Sequence, residues 1–174
     1  LEFRRVLFRS DAFFTYLPPA MRVRITKTGG ATTIQTVRED VAWNESEIGA
    51  GLVPGKGTAT PAMDAVRPRL LQLWILPYGV VKAAIAAGDK TRISTANGST
   101  AFTFPLGGPL AGVSVTATLD AKNLVTKVVT KPDNPAQSNL AVEVEYSDYA
   151  DHGEIQTDIQ SPGRIVQTAA GKPV

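Results

Sequence analysis

Several short stretches of this sequence hold residue types that could do chemistry, and each also has a plainer interpretation. Gly55-Lys56-Gly57-Thr58 partly matches a phosphate-binding loop, in which backbone N–H groups cradle the phosphates. That loop requires a first glycine where Ala50 stands, and Ser or Thr directly after the lysine, where Gly57 stands. We therefore predict a flexible surface loop at this point.

His152 is the only histidine, and a zinc hydrolase needs several histidines and carboxylates around its metal. One histidine cannot build such a site. Asp148, Asp151 and Glu154 lie nearby in the sequence, and calcium prefers carboxylate oxygens, so a calcium site is an alternative. We favour a solvated turn between two strands, with His152 and Gly153 at its tip.

Glu143 and Glu145 stand two residues apart and could act as a general acid and base. Side by side along one strand, such carboxylates are more typical of the solvated face of a sheet. The serines have no identifiable base or nucleophile elbow nearby; these are Ser46, Ser94, Ser99 and Ser161. We therefore find no catalytic set in this chain, and whether the parent protein is an enzyme stays open.

Five aromatic residues lie within or beside apolar runs: Trp74, Phe102, Phe104, Tyr146 and Tyr149. We interpret most of them as core residues. The alternative is that some of them line an apolar ligand cavity, if the sheet that carries them is open at one end.

The chain has 174 residues and a mass of 18.5 kDa, with 43% hydrophobic and 20% charged residues. This composition is typical of one globular domain. There are no cysteines, which excludes a disulfide scaffold, a thiolate zinc site and a cysteine nucleophile. The net charge of +2 and the pI near 9.0 suggest an acidic partner only if the basic residues belong to the protein.

Residues 1–10, Leu-Glu-Phe-Arg-Arg-Val-Leu-Phe-Arg-Ser, match in order the in-frame translation of a common sequencing-library adapter. We interpret them as an artefact of a metagenomic assembly and exclude them from fold reasoning. The alternative is the start of a signal peptide or a membrane anchor, but the apolar run in these residues is too short for the core of a signal peptide. These residues hold three arginines and one glutamate, so 15 basic and 15 acidic residues remain of the 18 and 16 in the full sequence. The net charge of residues 11–174 is therefore zero, and it gives no reason to expect a nucleic-acid partner.

Residues 21–45 alternate with a period of two, which predicts strands. Gly29-Gly30 can supply the positive φ angles of a two-residue hairpin turn, the strand 31–37 follows, and a third covers 39–43. Residues 46–59 are rich in glycine and proline and predict a surface loop.

A helical region is predicted over about 61–87. Thr60-Pro61 is typical of a helix N-cap followed by proline at the first position. Pro68 and Pro77 should interrupt the region, and Gly88 is a natural C-cap. The stretch 70–76 is apolar nearly all round, which is typical of a buried helix. It is too short to span a membrane.

From Lys90 onward the pattern predicts five or six further strands. Asn97-Gly98 is a strong hairpin signal, strands should cover 92–96, 99–104, 111–119, 124–130 and 140–146, and Arg164–Gln167 is the last one visible. We predict an α+β fold over residues 11–174, with a curved antiparallel sheet, a half barrel, wrapped around a short, proline-kinked helical insertion. We expect a single domain that is truncated at both ends.

The last third of the chain resembles a family signature. Val142-Glu-Val-Glu-Tyr-Ser-Asp-Tyr149, Asp151-His-Gly153, Pro162-Gly-Arg-Ile-Val-Gln167 and Gly171-Lys-Pro-Val174 resemble motifs of the N-terminal domain that precedes the catalytic domain in a group of bacterial metallo-β-lactamase-fold hydrolases. The segment 71–84 resembles that domain's "Leu-Trp-x-x-Pro-x-Gly-x-x-Lys-Ala-Ala" motif, and Asp133-Asn-Pro135 also fits. This sequence departs from the family pattern at residues 154–161.

The resemblance implies a non-catalytic accessory domain, exported to the periplasm or secreted, that docks on the catalytic domain or binds an apolar group. The family's zinc motif, His-x-His-x-Asp-His, is absent from this sequence, so zinc is expected only in a C-terminal catalytic domain covalently linked downstream of Val174. The predicted fold is also similar to the LolA-like lipoprotein-carrier architecture. The alternative function is therefore a stand-alone periplasmic carrier of a lipid or other hydrophobic ligand.

Overall fold

A computed structural model describes residues 8–51, 53–96, 98–152, 159–169 and 172–173. The chain divides into two compact units, Leu1–Leu73 and Trp74–Val174, called here the first and second units. Each unit holds one antiparallel sheet. That residues 11–174 form one domain stays a prediction.

The first unit is built on a five-stranded antiparallel sheet in chain order. Its strands are β1 (Phe8–Tyr16), β2 (Pro19–Lys27), β3 (Thr32–Arg38), β4 (Val41–Glu45) and β5 (Ala59–Pro61). The hairpin predicted at Gly29-Gly30 is present, but the two-residue turn is wrong. Gly30 alone has a positive φ, +82°. Its N–H donates to Lys27 O at 2.8 Å and the Lys27 N–H donates to Ala31 O at 2.9 Å, so the loop has three residues, 28–30.

β1 was not predicted from the sequence. Residues 11–16 do not alternate between polar and apolar types. The whole of β1 nevertheless pairs with β2, from Phe8 opposite Lys27 to Tyr16 opposite Pro19. β1 includes residues 8–10, which we set aside as adapter-derived; that interpretation stays a prediction.

The predicted helix start at Thr60-Pro61 is wrong, since both residues belong to β5 and pair with Asn44 and Trp43. β5 is an edge strand, where proline is tolerated because its missing N–H is not needed by a further strand.

The helical region contains two α-helices, α1 (Val66–Trp74) and α2 (Pro77–Ala87). The predicted break at Pro77 is confirmed, but the one at Pro68 is wrong. Pro68 lies in the first turn of α1, where the backbone N–H has no intrahelical partner. Short 3₁₀ turns occur at Met63–Ala65, Gly88–Lys90, Gly108–Leu110 and Pro135–Leu140.

The second unit contains a seven-stranded antiparallel meander, again in chain order. Its strands are β6 (Arg92–Ala96), β7 (Ser99–Pro105), β8 (Val113–Leu119), β9 (Val125–Pro132), β10 (Val142–Asp151), β11 (Gln160–Ala169) and β12 (Lys172–Pro173). Gly98 has φ +78° in the predicted β6–β7 turn; Asn97 lies outside the described residues. The predicted turn at 120–123 is also present, with Asn123 at φ +62°.

The α+β class and the antiparallel strands are confirmed. The expectation of one sheet is wrong, because the strands divide between two sheets. The helical insertion interrupts strand pairing after β5, and the following strands pair only with each other.

One face of the seven-stranded sheet forms the core of the second unit. Its buried residues alternate along β7, β8, β9 and β10 and include Phe104, Val115, Val128 and Val144. The predicted alternation of β10 is confirmed by the burial of every second residue from Val142 to Tyr146. α2 packs against β7 in this unit.

Gly163 in β11 is expected to tolerate no larger residue. A Cβ atom placed there would lie 2.8 Å from the backbone oxygen of Asp148, which is too close for any real contact. We expect Gly163→Ala to lower the free energy of unfolding by about 1–3 kcal/mol, because the paired backbone of β10 must shift. Chemical denaturation measures this loss.

Gly107→Ala is the matched control, since a Cβ at Gly107 would meet nothing within 4 Å and its φ of −110° suits any residue. A loss at Gly107 as large as the loss at Gly163 would contradict the close-contact explanation.

In the described part of the chain no single helix is long and apolar enough to span a membrane. The segments Met63–Trp74 and Pro77–Lys90 meet the length and composition requirement only when taken together, with a bend between them.

Candidate functional site: a pocket on the five-stranded sheet

The candidate site lies on one face of the first unit's sheet, which we call the site face. Side chains paired directly across antiparallel strands point to the same side. The register therefore places seven residues together, one row from β1 to β4 and a second row beside it: Phe13, Arg22, Thr36 and Trp43, then Thr15, Ala20 and Arg38.

All seven line a pocket of about 320 Å³. Phe14, Met21 and Val37 also border it, but they form the alternate row of the register, so their side chains point to the opposite face. This volume is near the lower end of the range for small-molecule sites. Phe13 is 63% exposed and Phe14 48% exposed. Aromatic surface left open to water beside a concavity is typical of a place where something binds.

Three of the lining side chains hold the buried carboxylate of Glu45. Its oxygen Oε1 accepts from the Trp43 indole Nε1 at 2.8 Å, from Arg22 Nη2 at 3.1 Å and from Thr36 Oγ1 at 3.2 Å. Its other oxygen, Oε2, accepts from the Gly49 N–H at 2.7 Å. The carboxylate thereby ties β2, β3 and β4 to the loop after β4.

Burial raises the pKa of Glu45, but the hydrogen bonds from Gly49, Trp43 and Arg22 and the positive charge of Arg22 outweigh it, so the pKa is lowered overall. Glu45 is therefore ionised at neutral pH. A carboxylate that already accepts four hydrogen bonds is a poor general base, which favours a structural role for it.

Arg69 on α1 fixes the helix to the same two strands. Its Nη1 donates to Thr36 O at 3.0 Å and to Trp43 O at 2.8 Å, and its Nη2 donates to Asn44 Oδ1 at 2.6 Å. Burial lowers the pKa of Arg69, and the charge of Asp64 partly offsets this. The backbone beneath the pocket is thus held from α1 as well as from Glu45.

The five aromatic residues singled out from the sequence lie in the second unit. Phe102 and Phe104 are buried, with their rings stacked at a centroid distance of 6.0 Å. Tyr146 is buried and its hydroxyl donates to Ile75 O at 2.7 Å. Tyr149 is half-buried and donates to Val125 O at 2.6 Å. Trp74 is half-buried. That any of these residues lines an apolar cavity stays a prediction.

Tyr149 is expected to ionise late. Burial raises its pKa to about 12, and the charges of Asp120 and Tyr78 add to the rise. A raised pKa stabilises the neutral phenol, so this contribution to stability is complete below the unfolded pKa of 10.0 and is lost as the pH rises towards 12. We expect Tyr149→Phe to reduce the amplitude of the late tyrosinate absorbance in a near-ultraviolet titration by one tyrosine.

Tyr78→Phe is the control for this titration, because Tyr78 is exposed. It is expected to keep the amplitude of the late step and to move it to slightly lower pH, because the charge of Tyr78 contributes to the raised pKa of Tyr149. A late absorbance of unchanged amplitude in Tyr149→Phe would contradict the assignment.

The other sequence candidates are placed as follows. Glu145 is exposed and Glu143 pairs with Lys127 at 2.6 Å, as expected of a solvated sheet face. The loop at 55–58 leads into strand β5, whereas a phosphate-binding loop leads into a helix. His152 is exposed, directly after β10, while Gly153 and Glu154 lie outside the described residues. Within the described ranges, no three His, Asp or Glu side chains are grouped to hold a metal.

The pocket residues were missed by sequence reasoning. Phe13 and Phe14 belong to the unpredicted strand β1, and Arg22 and Trp43 lie in predicted strands but were given no role. One signal in the sequence could have pointed to the site: the Phe13-Phe14 pair is followed by a strand with two arginines at alternate positions, Arg22 and Arg24. Their meeting on one face depends on the strand register.

No protein-family model matches this chain, and neither the curated proteins nor the solved structures contain a match to it.

Proposed function

We propose that this chain is a non-catalytic binding domain whose first unit holds an apolar group in the pocket on the site face. The observation that carries the proposal is the pocket itself, about 320 Å³, in which the apolar side chains of Phe13, Ala20 and Trp43 lie beside polar side chains on the site face. Apolar lining with a few fixed polar groups is the usual composition of a small-molecule site.

The fixed hydrogen bonds of the site support binding rather than catalysis. Thr36, Trp43 and Arg22 all donate to Glu45, so these side chains are held in place before a ligand arrives. Preorganised side chains lose little conformational entropy when a ligand binds, which favours affinity. The one hydroxyl among these donors, that of Thr36, meets a carboxylate that already accepts three other hydrogen bonds and is a poor base.

The biological setting that we propose rests on the residue resemblance alone. The chain would be an N-terminal accessory domain of an exported bacterial metallo-β-lactamase-fold hydrolase, with zinc held only by the catalytic domain that follows. The alternative is a stand-alone periplasmic carrier of a hydrophobic ligand. For the second unit we propose that the sheet curves around α2, which is supported by the packing of α2 on β7.

A neutral apolar fluorophore, N-phenyl-1-naphthylamine, tests the binding function in titrations of the purified chain. We expect saturable binding at one site. Phe13→Ser should weaken binding about tenfold, because about 1.4 kcal/mol of apolar contact is a factor of ten in Kd. Phe13 is 63% exposed, so the fold should keep its stability.

Ile93→Ser is the matched control, since Ile93 is 73% exposed on β6 of the second unit. It should leave the affinity unchanged. Binding that does not saturate, or an equal loss in both variants, would overturn the proposal.

The genomic reading frame beyond Val174 separates the two settings. A His-x-His-x-Asp-His motif there supports the accessory domain, and a stop codon within a strand or two supports the carrier.

A further inference from the structure

The side chains that line the pocket on the site face include more cations than anions, although one cation, Arg22, is paired with the buried carboxylate of Glu45. Among the pocket's ten lining residues two are cationic, Arg22 and Arg38, and none is acidic. We propose that the pocket takes an apolar carboxylic acid, with the tail against the aromatic side chains and the carboxylate at these two guanidinium groups. This inference rests on the proposed function and names the ligand class for the same site.

The strand register places the two arginines on one face as diagonal neighbours, although the Arg22 guanidinium is turned towards Glu45 and that of Arg38 towards Glu39. Arg22 is paired with Thr36 and Arg38 is paired with Ala20, so the arginines occupy diagonal positions on one face of β2 and β3. Diagonal neighbours in an antiparallel pair are separated by about 7–8 Å, within reach of long side chains. A carboxylate between them can accept from both, and Arg–carboxylate hydrogen bonds are among the strongest in proteins.

Arg22 retains unused hydrogen-bonding capacity. Its Nη2 donates to Glu45, but its Nε is buried and finds no acceptor in the described part of the chain. A buried donor without an acceptor is unfavourable, and such a group in a pocket wall is often explained by an absent ligand or water. A carboxylate oxygen supplied by a ligand would satisfy it if the Arg22 side chain, which is 26% exposed, turned to present the Nε to the pocket.

Arg38 is only weakly neutralised by the protein itself. Its Nε lies 3.8 Å from Glu39 Oε2, and the two side chains are 60% and 58% exposed. Exposed pairs of this kind contribute little, so Arg38 remains free to attract an anion. The arginine is also outside the Glu45 cluster, which makes it the residue to replace without disturbing the fold.

Three ligands with the same ten-carbon tail test the inference: decanoate, decanol and decyltrimethylammonium. Each is titrated by calorimetry, the two ionic ligands below the concentration at which they form micelles and decanol below its solubility limit. We expect decanoate to bind about tenfold more tightly than decanol, and decyltrimethylammonium to bind most weakly. Added salt should weaken the binding of decanoate and leave that of decanol unchanged.

Arg38→Gln should weaken decanoate about five- to tenfold and leave decanol unchanged. Lys122→Gln removes the same charge from an exposed turn of the second unit and should change neither affinity. Equal affinity for decanoate and decanol, or an equal effect of Arg38→Gln on both, would overturn the carboxylate assignment while the binding function stands. If neither decanoate nor decanol binds, both proposals fail.

Discussion

Replacing Glu45 with glutamine is expected to destabilise the first unit by about 3 kcal/mol. Both carboxylate oxygens accept hydrogen bonds, Oε1 from three side chains and Oε2 from Gly49. An amide must place its NH₂ group against one set of these donors, and it leaves Arg22 without its counter-charge. Breaking a buried ion pair from one side typically costs about 3–5 kcal/mol, and the partial exposure of Arg22 places the loss at the lower end.

Hydrogen exchange followed by mass spectrometry measures this loss at the amides of β2, β3 and β4. Glu47→Gln is the matched control, since Glu47 is exposed two residues further along the chain, and it should change the exchange free energy by less than about 0.5 kcal/mol. If Glu45→Gln had as small an effect, the role assigned to the carboxylate would be wrong.

The lowered pKa of Glu45 makes this contribution dependent on pH. A carboxyl whose pKa is lower in the folded than in the unfolded state stabilises the fold above the ordinary value of 4.5, and the stabilisation is lost as the pH falls through the folded value. The wild-type chain should therefore lose more stability in acid than Glu45→Gln does.

Replacing Phe104 with alanine is expected to have the largest effect in the second unit, a loss of about 3–5 kcal/mol in the free energy of unfolding. Phe104 is 1% exposed and stacks on Phe102. Truncating such a side chain removes its transfer free energy and leaves a cavity that the sheet cannot fill. Urea denaturation followed by far-ultraviolet circular dichroism measures the loss.

Ile93→Ala controls for the removal of apolar bulk, because Ile93 is 73% exposed on β6 of the same sheet. Its effect should stay within about 0.5 kcal/mol. A loss of less than 1 kcal/mol for Phe104→Ala would show that the residue does not belong to the core.

Much of the fold could be predicted from local sequence signals. Gly30 and Gly98 mark hairpins through positive φ angles that few other residues adopt, and the alternation in β10 follows from one buried and one solvated face. These signals act over a few residues. The errors at Pro68 and Thr60 concern prolines. A proline breaks a helix in its interior but not in its first turn, where Pro68 lies, and Pro61 lies in an edge strand instead of starting a helix.

The candidate site could not be predicted in the same way. Arg22 and Glu45 are 23 residues apart in the chain, and they meet only because β2, β3 and β4 pair in one register. Shifting that register by one residue would turn each side chain to the opposite face. The sequence contains the pocket residues but no local signal for their meeting.

The two buried charged residues described in the first unit, Glu45 and Arg69, are held by different kinds of hydrogen-bond partner. Glu45 is held through its ionised form, whereas Arg69 donates to two backbone carbonyls and an amide oxygen, none of which titrates. A fall in pH should therefore weaken the contacts of Glu45 and leave those of Arg69 in place. Protonation of Glu45 releases the loop that begins after β4, while α1 remains attached to β3 and β4. The first unit should then open in two steps as the pH falls, the wall of the pocket before the helix beneath it.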